Sequence, residues 1–259
     1  MKQEKSRVNI EQQSIEERIE TVKRNMIYVT SDIHGCYDAL QKLLDTIKFS
    51  DTDTLYIVGD VIDRGPTSLE TLYFVRNTKN IKLLLGNHEE FLLECFKTIW
   101  KKEKSFVSLD VWLQHGGEET YQKFLQLSKE EQKEMVEYLS SCPVYQILDH
   151  EQTKKVVLVH AGIKPNSLAA TWEELLGQQQ RNTLLWVKEE FLCQPFEVVP
   201  EGRLIFGHTP TCEIQRIRKE HRRCGMVWKD GKRWGIDGGY LFGGHLICLR
   251  LDDWKEYYI

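Results

Sequence analysis

An α/β fold built on buried strands is what this sequence predicts, and three observations predict it. Short apolar runs rich in β-branched residues alternate with helical patterns, each early run ends in glycine and polar residues, and no break in composition divides the chain.

Residues 1–25 are dense in Glu, Gln, Lys and Arg, yet Ile15, Ile19, Val22 and Met26 recur at helical spacing. That spacing predicts a short amphipathic helix in a charged extension docked on the domain that follows. The runs "MIYVT" (26–30), "TLYIVG" (54–59) and "IKLLLG" (81–86) then read as buried strands, with helices beginning near Cys36 and Thr67 between them. In "EEFLLECFKTIW", Phe91, Leu92, Cys95, Phe96 and Ile99 make one apolar helical face, which reads as core. Residues 101–145 are charge-rich around "VWLQHGGEETYQKF" and predict helices covering one end of the sheet. Strand signals return at 155–160, 203–207, 212–218, 224–228, 233–236 and 245–251, and the closeness of the last four predicts an antiparallel meander. Residues 26–259 therefore read as one domain, with no repeat or low-complexity linker to divide it.

The chain's 259 residues, 41% hydrophobic, are enough for a large core. A formal net charge of −4 argues against a nucleic-acid duplex as partner. Seven widely spaced cysteines include no CxxC pair, so they read as reduced thiols rather than a disulfide framework or a zinc finger. No apolar stretch reaches the roughly 18 residues of a membrane span, and residues 1–20 lack a signal-peptide core. The expected location is cytoplasmic, without a membrane partner.

Each early strand ends in a polar cluster: "SDIHG" (31–35), "GDVIDRG" (59–65) and "GNHEE" (86–90). Two later strands end in "VLVHAG", with His160, and "IFGHTP", with His208. One such aspartate or histidine is ordinarily a turn former. Five at equivalent places are not, because parallel strands bring their carboxyl ends to one edge. Imidazole and carboxylate oxygen together suit Mn, Fe or Zn rather than calcium. Two such ions need a bridging ligand, and the carboxylate of Asp60 fits that role. Arg64 offers a planar donor fork for phosphate oxygens.

These five motifs, in this order, resemble the signatures of the phosphoprotein phosphatase family of metallophosphoesterases, and "IDGGYLFGGHLICLRL" resembles that family's final strands. The resemblance covers nearly everything after residue 25 and implies a central β-sandwich flanked by helices, with a dinuclear metal site at the carboxyl ends of the strands. It implies that Asp32, His34 and Asp60 hold one divalent ion, and that Asp60, Asn87, His160 and His208 hold the other, with Mn the expected metal and a metal-bridging hydroxide the nucleophile. By the same resemblance His88 is the general acid, Asp63 orients it, and Arg64 and Asn87 contact phosphate. Two positions depart from the pattern. Ser31 stands where glycine is usual, and Lys188, two residues after Trp186, stands where related bacterial and phage enzymes carry a phosphate-binding arginine. Lysine keeps the charge without the bidentate fork, and Arg181 is the alternative clamp.

The expected activity is that of a serine/threonine protein phosphatase of the bacterial and phage-lambda type, acting on a phosphorylated protein. "VWLQHGG" favours that branch, since those enzymes carry a similar Trp-Leu and glycine pair. The alternative is a symmetrical dinucleoside tetraphosphate hydrolase, with a dinucleoside polyphosphate as substrate, using the same motifs and metals. A catalytically inactive metal-binding scaffold is disfavoured because every ligand position and the acid are filled by competent residues. Cys36, directly after "DIHG", is expected at a helix start where its thiol would ionise more easily. The basic run at 216–225 reads as a solvated hairpin tip.

Overall fold

The computed structural model describes residues 25–101, 108–165, 169–196, 201–221 and 223–259. The helix expected over residues 1–25 lies outside them but for Asn25. The first half alternates as expected: β1 (Ile27–Thr30), α1 (Tyr37–Ile47), β2 (Thr54–Val58), α2 (Ser68–Asn77), β3 (Ile81–Leu84) and α3 (Asn87–Lys101). In α1 the buried residues Ala39, Leu40, Leu43 and Ile47 lie on one face, and Lys48 closes the helix in the left-handed conformation, its N–H bonding back to Leu44 and Asp45. Each fully buried leucine contributes roughly 1.5–3 kcal/mol.

Next come α4 (Leu109–Trp112), a π-helical turn (Leu113–Gly117), α5 (Glu118–Gln126) and α6 (Lys129–Ser141). A capping box between Ser128 and Glu131 starts α6. The second half contains β4 (Tyr145–His150), β5 (Lys154–Val159), α7 (Trp172–Gly177), α8 (Arg181–Trp186), α9 (Glu189–Cys193), β6 (Arg203–Phe206), α10 (Thr211–Arg218), β7 (Trp228–Asp230), β8 (Arg233–Gly235), a 3₁₀ turn (Tyr240–Phe242), β9 (Ile247–Arg250) and β10 (Lys255–Tyr258).

The strands form two mixed sheets, ordered β10-β9-β1-β2-β3 and β4-β5-β6-β8-β7. Strands β1, β2 and β3 run parallel, as do β5, β6 and β8, with antiparallel strands at the margins. The sheets pack through a shared core of Val29, Val58, Leu84, Val156, Leu158, Ile205 and their neighbours. On β1 the pleat sends Val29 into this core and Tyr28 outward under α1. Helices cover both outer faces, which gives the β-sandwich.

The expected meander is corrected in two places. Residues 211–218 form α10 rather than a strand, because Pro210 precedes them and Thr211, Ile214 and Gln215 are buried at helical spacing. The basic run therefore begins in a helix rather than at a hairpin tip. Strand β9 crosses to the first sheet and pairs with β1, while β7 and β8 form the hairpin of the second. Strands β4 and β10 escape sequence reading, since both are outermost strands whose half-buried residues mix polar with apolar types. No helix among the described residues is long and apolar enough to cross a membrane.

Candidate active site

The polar clusters follow the parallel strands of both sheets and meet at one edge. His160 ties the sheets together, because its Nδ1 lies 2.8 Å from the carbonyl of Val58 at the end of β2. The backbone N–H of His208 donates to both carboxylate oxygens of Asp32, at 3.0 and 3.1 Å. A Cβ on Gly207 would stand 2.1 Å from Asp32 Oδ2, so this approach requires glycine. Ten described non-glycine residues have positive φ, and six of them are Asp32, His34, Asp60, Asp63, Arg64 and His208. Strain of this kind costs about 1–3 kcal/mol per residue and collects at functional sites.

Two groups of potential metal ligands share Asp60. His34, Asp60 and His88 form one, and Asp60, His160 and His208 the other, with the donor atoms of each group within 4.8 Å of one another. Asp60 Oδ2 is 3.6 Å from His34 Nε2, and Oδ1 is 3.3 Å from His160 Nε2, so its two oxygens face different imidazoles. The amide oxygen of Asn87 lies 2.9 Å from His160 Nε2 and 2.8 Å from His208 Nδ1. For His34 and His160, Nδ1 faces a backbone carbonyl, of Ile62 and Val58, which directs the Nε2 lone pair inward as a metal ligand requires. Imidazole nitrogens, carboxylate oxygens and an amide oxygen converging in one pocket are a donor set that fits divalent cations.

Asp32 belongs to neither group, but its field reaches both, through Asp60 and His160. Burial pushes the Asp32 carboxyl well above its ordinary value, with the charge of Asp237 adding to it. Burial likewise pushes His34 down to about 3. At His160 burial is overcome by the charge and hydrogen bond of Asp60, which lift the imidazole to about 9. Burial also acts on Asp60, but His160, His88 and His34 outweigh it and hold its carboxyl well below the usual range.

Beside the cluster, His88 and Asp63 form a fully buried dyad, Nδ1 to Oδ2 at 2.7 Å. Trp112 Nε1–H donates to the same oxygen at 2.6 Å. Arg64 spreads its fork between two imidazoles, 2.7 Å from His34 Nε2 and 2.9 Å from His88 Nε2. The π-helical turn supports this arrangement: the Gly116 carbonyl accepts Arg64 N–H at 2.9 Å, and a Cβ on Gly116 would press on Arg64 Cγ at 2.8 Å. The glycine pair of "WLQHGG" thus lets a helical turn close against the arginine and the dyad. Sequence reading quoted these residues without finding that job for Trp112 or Gly116, and the Trp-Leu and glycine pair at this spacing were their signal.

Glu89 was also missed. Fully buried, it accepts backbone N–H bonds from Gly86 and Asp60 at Oε2, both at 2.9 Å, and from Val61 and Ile62 at Oε1, at 2.8 and 3.2 Å. It therefore fastens the turn that carries Asp60 to the start of α3. Glu89→Gln turns an amide N–H₂ toward two of those donors and leaves them unpaired, a loss of roughly 2–5 kcal/mol. The expected result is a lower melting temperature together with reduced metal content, read by calorimetry and elemental analysis. An unchanged melting temperature would contradict it.

Arg181 is engaged with Glu90 through two bonds of 3.0 and 2.5 Å. Lys188 is exposed at the start of α9, and its charge acts on His208. Cys36 does stand at the start of α1, but burial, then Asp38, pushes its thiol up, against the expected easier ionisation.

The chain belongs to the calcineurin-like phosphoesterase family, whose model matches residues 26–212. It is 36% identical over 146 residues to a symmetrical bis(5'-nucleosyl)-tetraphosphatase of Erwinia tasmaniensis, covering 56% of this chain and 47% of that protein. A namesake from Coxiella burnetii is 34% identical over 139 residues, 53% of this chain and 42% of that protein. The chain thus spans about half the length of the curated relatives it matches. Among solved structures, one provisionally named a diadenosine tetraphosphatase superposes with a TM-score of 0.61 at 19% identity, covering 92% of this chain and 94% of that one. A protein serine/threonine phosphatase from Saccharomyces cerevisiae reaches 0.50 at 16% identity, over 84% of this chain and 68% of that one. At such identities the likeness is one of fold.

Proposed function

We propose that this protein hydrolyses dinucleoside tetraphosphates symmetrically, in a dinuclear metal site centred on Asp60. This replaces the protein-phosphatase reading by its alternative. The relatives named for that reaction share 34–36% identity, whereas the likeness to the protein phosphatase is one of fold. The carrying observation for the chemistry is the placement of Asp60 between two histidine groups, beside a buried acid–base dyad.

Asp32, His34 and Asp60 would hold one ion, and Asp60, Asn87, His160 and His208 the other. Bound there, two divalent ions lower the pKa of coordinated water and polarise phosphoryl oxygens. The protein's own groups do the rest. Arg64 turns its fork from the two imidazoles to the phosphoryl oxygens, and Lys188 adds charge at the rim. Asp63, held by Trp112, orients His88, which in its protonated form faces the leaving oxygen with Nε2–H; a nucleoside diphosphate leaves without needing that proton, and a poorer leaving group takes it as the bond breaks. Water adds across the central P–O–P bond, so one tetraphosphate yields two nucleoside diphosphates.

The test is the purified protein with Mn²⁺, given diadenosine tetraphosphate and a phosphoserine peptide separately. The expected result is a higher kcat/KM on the dinucleotide, with ADP as the nucleotide product, and loss of turnover on chelation. A higher kcat/KM on the phosphopeptide would restore the protein-phosphatase reading, and full turnover in a verified metal-free sample would refute the metal mechanism.

A further inference from the structure

Phe242 is 73% exposed, the most of any large hydrophobic residue among those described, and Leu241 beside it is 37% exposed. Burying a phenylalanine side chain contributes about 1.5–3 kcal/mol to folding, a gain this ring largely forgoes. Its loop is tied to the turn that follows His208. Asp237 Oδ1 accepts the N–H of Gly239 at 2.9 Å, and the Asp237 carbonyl accepts the N–H of Thr211, three residues past His208, at 2.8 Å. A Cβ on Gly239 would touch Pro210 Cβ at 3.6 Å and Phe242 Cδ2 at 3.9 Å. The ring therefore stands near Pro210, two residues past His208.

The platform is also fixed. Phe242 N–H bonds to the Gly239 carbonyl at 2.9 Å, Gly244 N–H to the same carbonyl at 3.0 Å, and His245 N–H to Gly238 at 3.3 Å. Gly238 and Gly244 leave no room for a Cβ, which would stand 2.1 Å from His245 O and 1.9 Å from Gly238 O. A short loop closed this tightly presents its ring without a large ordering cost on binding.

We propose that Phe242 is a stacking platform for one nucleobase of the substrate and so sets its preference for nucleotides; this rests on the dinucleoside reading of the same site. A polyphosphate gripped by the metals, Arg64 and Lys188 carries its base beyond the polar pocket to the rim, where a flat π face meets the ring. The stack is sequence-tolerant, since every base has a π face.

The experiment uses the full chain with Mn²⁺ and the exposed, fold-neutral substitution Phe242→Ala. KM for diadenosine tetraphosphate, and the inhibition constant of ADP with p-nitrophenyl phosphate as reporter, are expected to rise about 5- to 150-fold, the range for losing one base–aromatic stack. Inhibition by inorganic pyrophosphate, which has no base, should stay unchanged, and Phe242→Trp should restore binding. Unchanged nucleotide constants, or equal losses with and without a base, overturn the platform while leaving the reaction intact. A loss confined to a phosphoserine peptide assigns the ring to a polypeptide and overturns it too. If the wild type is inert on the dinucleotide, the reaction reading fails; the platform then survives only if ADP inhibits more tightly than pyrophosphate and Phe242→Ala removes that difference, and otherwise it falls as well.

Discussion

Asp60→Asn is expected to cut turnover by about 10³-fold or more and to leave the purified protein with less than its full metal complement. The substitution keeps the size of the side chain but removes its charge, and one of its two oxygens becomes an amide nitrogen that cannot serve as a ligand. Asp60 is the residue whose two oxygens face His34 on one side and His160 on the other, so both sides of the cluster lose an anionic neighbour. A thousandfold loss corresponds to about 4 kcal/mol of transition-state stabilisation, well within what two-metal electrostatics supply. Near-normal folding should accompany the loss, since Asn can still accept the backbone N–H of His88, which reaches Asp60 Oδ1 at 3.1 Å. Elemental analysis beside steady-state kinetics checks the result. An Asp60→Asn protein with two ions bound and ordinary turnover would show that the bridge lies elsewhere.

Asp60 was legible in the sequence because the physics that places it is local. A buried parallel strand must end at the sheet's edge, and "GDVIDRG" follows one directly. The same holds for Asp32, His34, Asn87, His88, His160 and His208, all of which the structure brings to that edge. What escaped was the scaffold contributed by distant or irregular segments. Trp112 acts on Asp63 across 49 residues of sequence, through a helical turn whose π geometry has no compositional mark. Glu89 looked like one more charged residue in a helix start, and only the backbone donors of another loop reveal its work. The second sheet was half-read for a similar reason. The apolar spacing of "TCEIQRIR" fits a strand until Pro210 and the buried set Thr211, Ile214 and Gln215 are considered together.

The leaving group supplies a separate test of His88, whose proposed work is to give up a proton rather than hold a metal. A serine alkoxide is a poor leaving group and needs that proton in the transition state. Nitrophenolate does not, and neither does a nucleoside diphosphate, whose terminal phosphate ionises near pH 6 as other phosphate monoesters do, at about that second pKa. His88→Asn should therefore slow hydrolysis of a phosphoserine peptide by about 10²–10⁴-fold, the scale of general-acid catalysis. The losses on p-nitrophenyl phosphate and diadenosine tetraphosphate should be clearly smaller. Metal content should remain near that of the wild type, although His88 Nε2 lies only 3.9 Å from Asp60 Oδ2. The distinction rests on the other nitrogen: Nδ1 is committed to Asp63 at 2.7 Å inside a pocket closed by Trp112, a setting that orients an acid. Asp63→Asn should show the same substrate selectivity in weaker form, since it disturbs the imidazole without removing it. Equal losses on all three substrates with metal retained would assign His88 to phosphate binding, and loss of metal would make it a ligand.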